Sequence, residues 1–302
     1  MDLSQHHYSD FKSYLEKHKT HFDAVLDFYL PPATTPPQVL HEAMRYSLLA
    51  GGKRLRPFVC REAAMAIRDD VAGIEAVGWA LECIHTFSLI HDDLPAIDND
   101  DFRRGKPTSH KMFGEAVAIL AGDALLNQAY QILVTLDGIS ANTKVELCQE
   151  LAIALSSKDG LVAGEMLDIE GERKVPTSEL LYQIHHRKTG ALFKACLRMG
   201  ALYAGASAAQ CEALSAYGNH IGLAFQITDD VLDIEQPTEV LGKTSGKDVA
   251  QHKITFPAVF GLEQSKAMAR EEITRAHQAL EVFGARAQWL HELADFILYR
   301  SC

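Results

Sequence analysis

Two runs of aspartate carry the chemistry that this sequence can offer. The segment "HDDLPAIDNDDFRRGK" at 91–106 places Asp92, Asp93, Asp98, Asp100 and Asp101 together, followed at once by Arg103 and Arg104. A second run, "FQITDDVLDI" at 225–234, sets Gln226, Asp229, Asp230 and Asp233 at i, i+3, i+4 and i+7. That spacing puts all four on one helix face. Carboxylates so placed repel, and burying them unpaired is expensive. A solvated face would relieve them, but the rest of 222–234 is too apolar for an outer helix. A row of carboxylate oxygens suits Mg2+, which keeps several waters and shares its ligands with substrate phosphates.

The first run differs in spacing. Asp98 lies six positions after Asp92, and in a continuous helix these two do not share a face. Pro95 disfavours helix at Leu94. The helix is expected to end there, with the extra residues looping out to return Asp98 to Asp92. Two acidic patches would then face one another across a helical bundle, with metal ions holding an anionic ligand between them. Basic residues point to that ligand. "GGKRLRP" at 51–57 presents Lys53 and Arg56 after two glycines that permit close backbone approach. Arg103, Arg104, Lys188, Lys243, Lys247 and Lys253 lie near the other motifs. Arginine forks match phosphate oxygens and lysine adds point charge. Two anion sites are implied, one through metal and one through direct cation contact.

The elements that must position these groups are helices. Phe11, Leu15, Phe22, Leu26 and Tyr29 follow helical spacing, and "LPPATTPP" then makes a loop. From residue 38 the apolar pattern is helical almost throughout. It predicts helices at 38–50, 58–68, 73–92, 113–136, 142–171, 177–204, 208–234, 255–264 and 266–300. No alternating strand pattern, hairpin signal or repeat is apparent, and the reading is one all-α domain over 1–302. Segment 73–92 is apolar nearly all round, as a central helix should be, so its polar exceptions Glu82, His85 and Asp92 are informative.

The chain has 302 residues, 47% hydrophobic and 23% charged, with net charge −11. That balance argues against general nucleic-acid binding. Six scattered cysteines without a C-x-x-C pair fit a reducing compartment. The start is polar, without the apolar core of a signal peptide, and no run of eighteen apolar residues suggests stable membrane insertion. A cytoplasmic enzyme is expected.

Taken together, "HDDLPAIDNDDFRRGKPT", "GGKRLRP", "KTGALF" and "FQITDDVLDI…LGK" resemble the trans-isoprenyl diphosphate synthases, most nearly the bacterial farnesyl diphosphate synthases. The resemblance covers nearly the whole chain. It implies a single all-α bundle around a deep central cavity, usually a homodimer. It also implies condensation of an allylic diphosphate, dimethylallyl and then geranyl, with isopentenyl diphosphate. The implied cofactor is Mg2+, typically three ions, with Mn2+ as an alternative. By motif, Asp92, Asp98 and Asp229 would be metal ligands, supported by Asp93, Asp230 and Asp233. Arg103, Lys188, Lys243 and Lys253 would hold the allylic diphosphate; Lys53, Arg56, His85 and Arg104 would hold isopentenyl diphosphate. Thr189, Gln226 and the Lys188 carbonyl could face an allylic cation, with Gly190 as a place for the helix to bend and release that carbonyl. No protein nucleophile is needed, so His91 is read as structural, and His185 and His186 as a solvated pair or a helix-face contact.

Phe87 and Ser88, one turn before Asp92, would set product length, and the large ring favours fifteen carbons over twenty. Geranylgeranyl or geranyl diphosphate synthesis on the same fold is the nearest alternative. A terpene cyclase would not need "GGKRLRP" and Arg104, and a non-catalytic subunit would be expected to carry a damaged motif. Many relatives carry Gln where this chain has Glu165, which with Asp168 adds negative charge near the cavity.

Overall fold

The computed structural model describes residues 3–235 and 253–300, so Lys243 and Lys247 lie outside the described residues. The chain runs through α1 (Leu3–Ala24), α2 (Leu26–Tyr29), α3 (Gln38–Leu48), α4 (Leu55–Ile67) and α5 (Ile74–Asp92). It continues through α6 (Ser109–Phe113), α7 (Glu115–Val134), α8 (Ala141–Leu155), α9 (Leu161–Gly171) and α10 (Ser178–His185). Last come α11 (Ala191–Tyr203), α12 (Ala208–Glu235), α13 (Phe256–Phe260), α14 (Leu262–Ala279) and α15 (Gln288–Tyr299). The all-α expectation holds. The described residues add one minimal antiparallel ribbon that the sequence reading did not foresee, Phe102–Arg103 against Lys106–Pro107. Its two-residue turn, Arg104 and Gly105, has φ of 54° and 73°. Positive φ at both positions matches the twist of a tight hairpin.

Helix α5 is central. Almost every residue from Ile74 to Ile90 is buried, and α4, α7 and α11 pack along it. Trp79 stacks on Phe22 of α1 with ring centroids 3.9 Å apart, tying the first helix to the core. At its end α5 unwinds as Pro95 predicts. The Asp98 N–H donates to the Asp92 carbonyl at 2.8 Å and the Asp100 N–H to the Asp93 carbonyl at 3.1 Å. The loop therefore returns Asp98 to Asp92.

Several expected helices are divided. The 142–171 helix breaks between Leu155 and Leu161, where a Cβ on Gly160 would lie 2.3 Å from the Ser156 nitrogen. The backbones meet there in a tight corner. The 113–136 helix starts only after Gly114, at φ 84°. The division placed near 265 falls at Gly261, and 266–300 is interrupted by a 3-10 segment, Glu281–Ala287. Most relevant to the site, 177–204 is split by a π-helical turn, His186–Gly190. Single wide turns of this kind occur inside α-helices mainly at functional sites. Here α9 crosses against the turn, with Gly164 on the Lys188 backbone.

Candidate active site

A cavity of about 500 Å3 opens beside α5. Its lining includes Lys53, Arg56, His85 and Arg104, the four residues expected to form one anion site, together with Arg54, Glu82 and Phe225. The loop that delivers them depends on its glycines. Gly52 has φ +130°, and a Cβ there would lie 2.8 Å from the Arg104 guanidinium carbon. Arg104 also donates to the Gly51 carbonyl. Arg56 lies with its guanidinium carbon 5.4 Å from the Phe193 ring, and its Nε has no hydrogen-bond partner among the described residues. An unsatisfied buried donor of this kind suits an anion. Burial, and then Arg56, Arg104, Arg103 and Arg54, hold the His85 imidazole far below its ordinary pKa. His85 is therefore neutral near pH 7 and can donate without adding charge.

The acidic runs are within electrostatic reach of this cavity, Asp229 acting on Arg56 and Arg103, which pairs with Asp93, acting on His85. Lys188 Nζ is clasped by Asp168 at 2.6 Å and Glu165 at 2.7 Å. Burial alone would lower this ammonium, but Asp168, Glu165 and Asp92 outweigh it and raise its pKa. Asp92 is pushed up to about 7 by burial and then by Glu165, with Lys188 acting in the opposite direction. Lys253 Nζ stands 3.2 Å from Asp98. Arg103 forks onto Asp93, with Nε 2.8 Å and Nη2 2.6 Å from Oδ1. The second acidic run meets the other side of the π turn. Thr189 Oγ1 donates to Gln226 Oε1 at 3.1 Å, and the Gln226 amide donates to Asp230 at 2.9 Å. Asp230 also accepts the Phe256 N–H at 2.9 Å. Asp93, Asp230 and Asp233 are buried, so the two runs do not face outward on separate surfaces.

Of the two readings of His185 and His186, the structure gives His185 the helix-face contact: it is buried, stacks on Phe256, and has Nε2 3.8 Å from Asp230, while His186 is exposed. His91 is structural as read, its Nε2 3.1 Å from the Ile119 carbonyl in space left by Gly122. Phe87 is buried with its ring 5.0 Å from that of His91, and Ser88 is buried and donates to the His85 carbonyl. Arg300 is a participant that sequence reasoning missed. Its Nη2 donates to Asp229 at 2.6 Å and to the Phe225 carbonyl at 3.1 Å, and its guanidinium carbon lies 4.0 Å from the Phe225 ring. A lone arginine after an apolar helix gave no signal for this. Arg54 was also passed over, although it is 2% exposed and lies inside the basic motif.

An all-helical bundle with aspartate-rich helix ends beside a basic cavity defines a class of enzymes that handle diphosphates. The model of the polyprenyl synthetase family matches residues 37–286, and the chain belongs to that family. It is 43% identical to the farnesyl diphosphate synthase of Geobacillus stearothermophilus, over 93% of this chain and 96% of that one. It is 46% identical to the chloroplastic geranylgeranyl pyrophosphate synthase of Capsicum annuum, over 88% of this chain and 72% of that one. Among solved structures, an FPP/GFPP synthase from Zymomonas mobilis superposes with a TM-score of 0.85 at 37% identity, covering 96% of this chain and 99% of that one. The protein is a trans-prenyl diphosphate synthase, a prenyltransferase acting on diphosphate substrates.

Proposed function

We propose that the chain makes (2E,6E)-farnesyl diphosphate, joining isopentenyl diphosphate to dimethylallyl diphosphate and then to geranyl diphosphate. The observation that carries this reading is the placement of the Lys53, Arg56, His85 and Arg104 cavity beside the aspartate and Lys188 cluster. Two diphosphates need two such sites. The donor set fits Mg2+: the oxygens are hard, and the Asp92 carboxyl is held near 7 by burial and Glu165, so a neighbouring positive charge would favour its ionised form. Asp92, Asp98 and Asp229 would hold the ions, with Asp93, Asp230 and Asp233 behind them. Among the described residues no three His, Cys, Asp or Glu side chains are grouped so as to hold a metal ion by themselves. Ions that also coordinate diphosphate oxygens do not need such a group. When bound, Mg2+ supplies positive charge to the leaving diphosphate.

The cations expected at the allylic diphosphate are each paired with a carboxylate: Arg103 with Asp93, Lys188 with Asp168 and Glu165, Lys253 with Asp98. Arg103, Lys188 and Lys253 would turn to the diphosphate oxygens. As the allylic C1–O bond breaks, its electron pair leaves with pyrophosphate. Thr189, Gln226 and the Lys188 carbonyl would face the cation left behind, and the apolar walls would exclude water. The isopentenyl double bond then forms the new C–C bond, and the proton it releases passes to pyrophosphate.

Phe87 supports the fifteen-carbon product. The alternative of twenty carbons draws on the Capsicum annuum likeness and on small Ser88, which shares the Asp92 stripe. The exposed Ile119, Leu120 and Val134 of α7 support a homodimer, and the whole is read as one cytoplasmic folding unit. By length and composition α7 could cross a membrane. Its mid-helix Asp123 and its packing against α5 favour a protein partner for that face. The deciding test supplies dimethylallyl and isopentenyl diphosphates with Mg2+ and measures product length by chromatography. A dominant C15 product is expected and a C20 product overturns the assignment, while full turnover in EDTA overturns the metal reading.

A further inference from the structure

Arg54 lies between Lys53 and Arg56 in sequence and shares their cavity, yet its guanidinium is engaged by protein partners. Its side chain is 2% exposed and makes three contacts to three different helices. Nε donates to Asp23 of α1 at 2.9 Å, Nη1 to Glu82 of α5 at 2.8 Å, and Nη2 to the carbonyl of Leu48, the last residue of α3, at 2.8 Å. Its backbone is left-handed, with φ 51° and ψ 38°, a conformation that L-residues with a Cβ avoid. Arg54 therefore enters α4 through a disfavoured turn that its three tethers maintain.

Two of those tethers reach walls of the 500 Å3 cavity: α1 contributes Glu16 and Lys19, and α5 contributes Glu82 and His85. Glu82 stands one helical turn from His85 on the same stripe. The Arg54–Glu82 pair thus joins the loop that carries Lys53 to the helix that carries His85. A salt bridge this buried is poor evidence for stability but well suited to fixing one geometry.

We propose that Arg54, clamped by Glu82 and Asp23, is a positioning residue for the second diphosphate: it sets the spacing of Lys53, Arg56 and His85 and thereby the affinity for isopentenyl diphosphate alone. This rests on reading the cavity as the isopentenyl diphosphate site. Lysine keeps the charge at position 54, but its three donors share one nitrogen and cannot span the partners that Nε, Nη1 and Nη2 reach on three helices.

The test measures isopentenyl diphosphate binding by calorimetry in the unmodified enzyme, Arg54→Lys, Glu82→Gln and Asp23→Asn, beside steady-state KM for both substrates and thermal melts. Arg54→Lys and Glu82→Gln are expected to weaken isopentenyl diphosphate binding by about 10-fold or more, as displaced binding groups do. The allylic KM should stay within about twofold, and Asp23→Asn, which loosens the partly exposed tether, should give a smaller effect of the same selectivity. Unchanged isopentenyl diphosphate affinity in well-folded Arg54→Lys overturns the proposal. So does an equal rise in both KM values with a lowered melting temperature, the signature of a merely structural arginine. If Arg54→Lys does not fold, Asp23→Asn decides on the same criteria. Absence of isopentenyl diphosphate binding by the unmodified enzyme would instead refute the reading of the cavity.

Discussion

Gly164→Ala offers the sharpest test of how Lys188 is aimed. A Cβ at Gly164 would lie 2.1 Å from the Lys188 nitrogen and 2.6 Å from its Cα. Both are main-chain atoms, so no side chain can rotate out of the way. The two segments must part by more than an ångström to reach the ordinary separation of 3.4 Å or more. Overpacking against backbone costs about 1–3 kcal/mol. At roughly 2–4 °C per kcal/mol, the melting temperature should fall by several degrees. The functional loss should be larger, because an ångström of misplacement at a catalytic group costs on the order of 100-fold. Circular-dichroism melts and steady-state assays with geranyl diphosphate would show both. A variant that melts several degrees lower yet keeps normal kcat and allylic KM would refute the idea that this crossing positions Lys188. An unchanged melting temperature would refute the packing argument itself.

Other consequences can be checked alongside. Phe87→Ala should lengthen the product beyond fifteen carbons, and unchanged product length by chromatography would remove Phe87 as the stop. Asp92, raised to about 7 by burial and then Glu165, retains to about that pH a proton that the unfolded chain releases near its ordinary value. Its contribution to stability is complete below about pH 4 and is lost as pH rises through about 7. Magnesium takes the ionised form, so the Mg2+-induced rise in melting temperature should be larger near pH 8 than near pH 6; an equal rise at both would count against Asp92 as a ligand. His18 is lowered from 6.5 to about 4 by burial and then Arg61 and His21. A depressed base gives stability that is present above 6.5 and lost as pH falls through 4, roughly 3 kcal/mol in all. His18→Phe, placed against Phe22 and Phe58, should flatten the acid limb of the melting profile.

How much of this the sequence disclosed depended on how local the cause was. Asp98 could be returned to Asp92 on paper because Pro95 acts on its immediate neighbour, and the loop hydrogen bonds follow from that. The centrality of α5 was legible because an all-round apolar helix has only one place to go. The break before Gly160 carried a turn signal in "SSKDG", masked by strong helical periodicity on both sides. The π turn at 186–190 was foreseen only as a bend at Gly190, since its partner Gly164 lies far away in sequence. Arg300 on Asp229 and Glu165 on Lys188 are likewise side-chain meetings across the fold. No spacing rule encodes such pairs.

The wide turn between α10 and α11 makes chain length at that point a fixed quantity. Downstream, α11 is locked against α4, α8 and α12, so it cannot rotate to absorb a change. Losing one residue from 186–190 would let the ladder close into ordinary α-helix with the flanking helices held nearly where they are, because the wide turn absorbs its one extra residue locally. The side chains inside the turn would shift, and Lys188 and Thr189 could not both keep their contacts to Asp168 and Gln226. Over these five positions the residue count matters more than most side-chain identities. Drift by substitution should be far easier to survive here than drift by insertion or deletion.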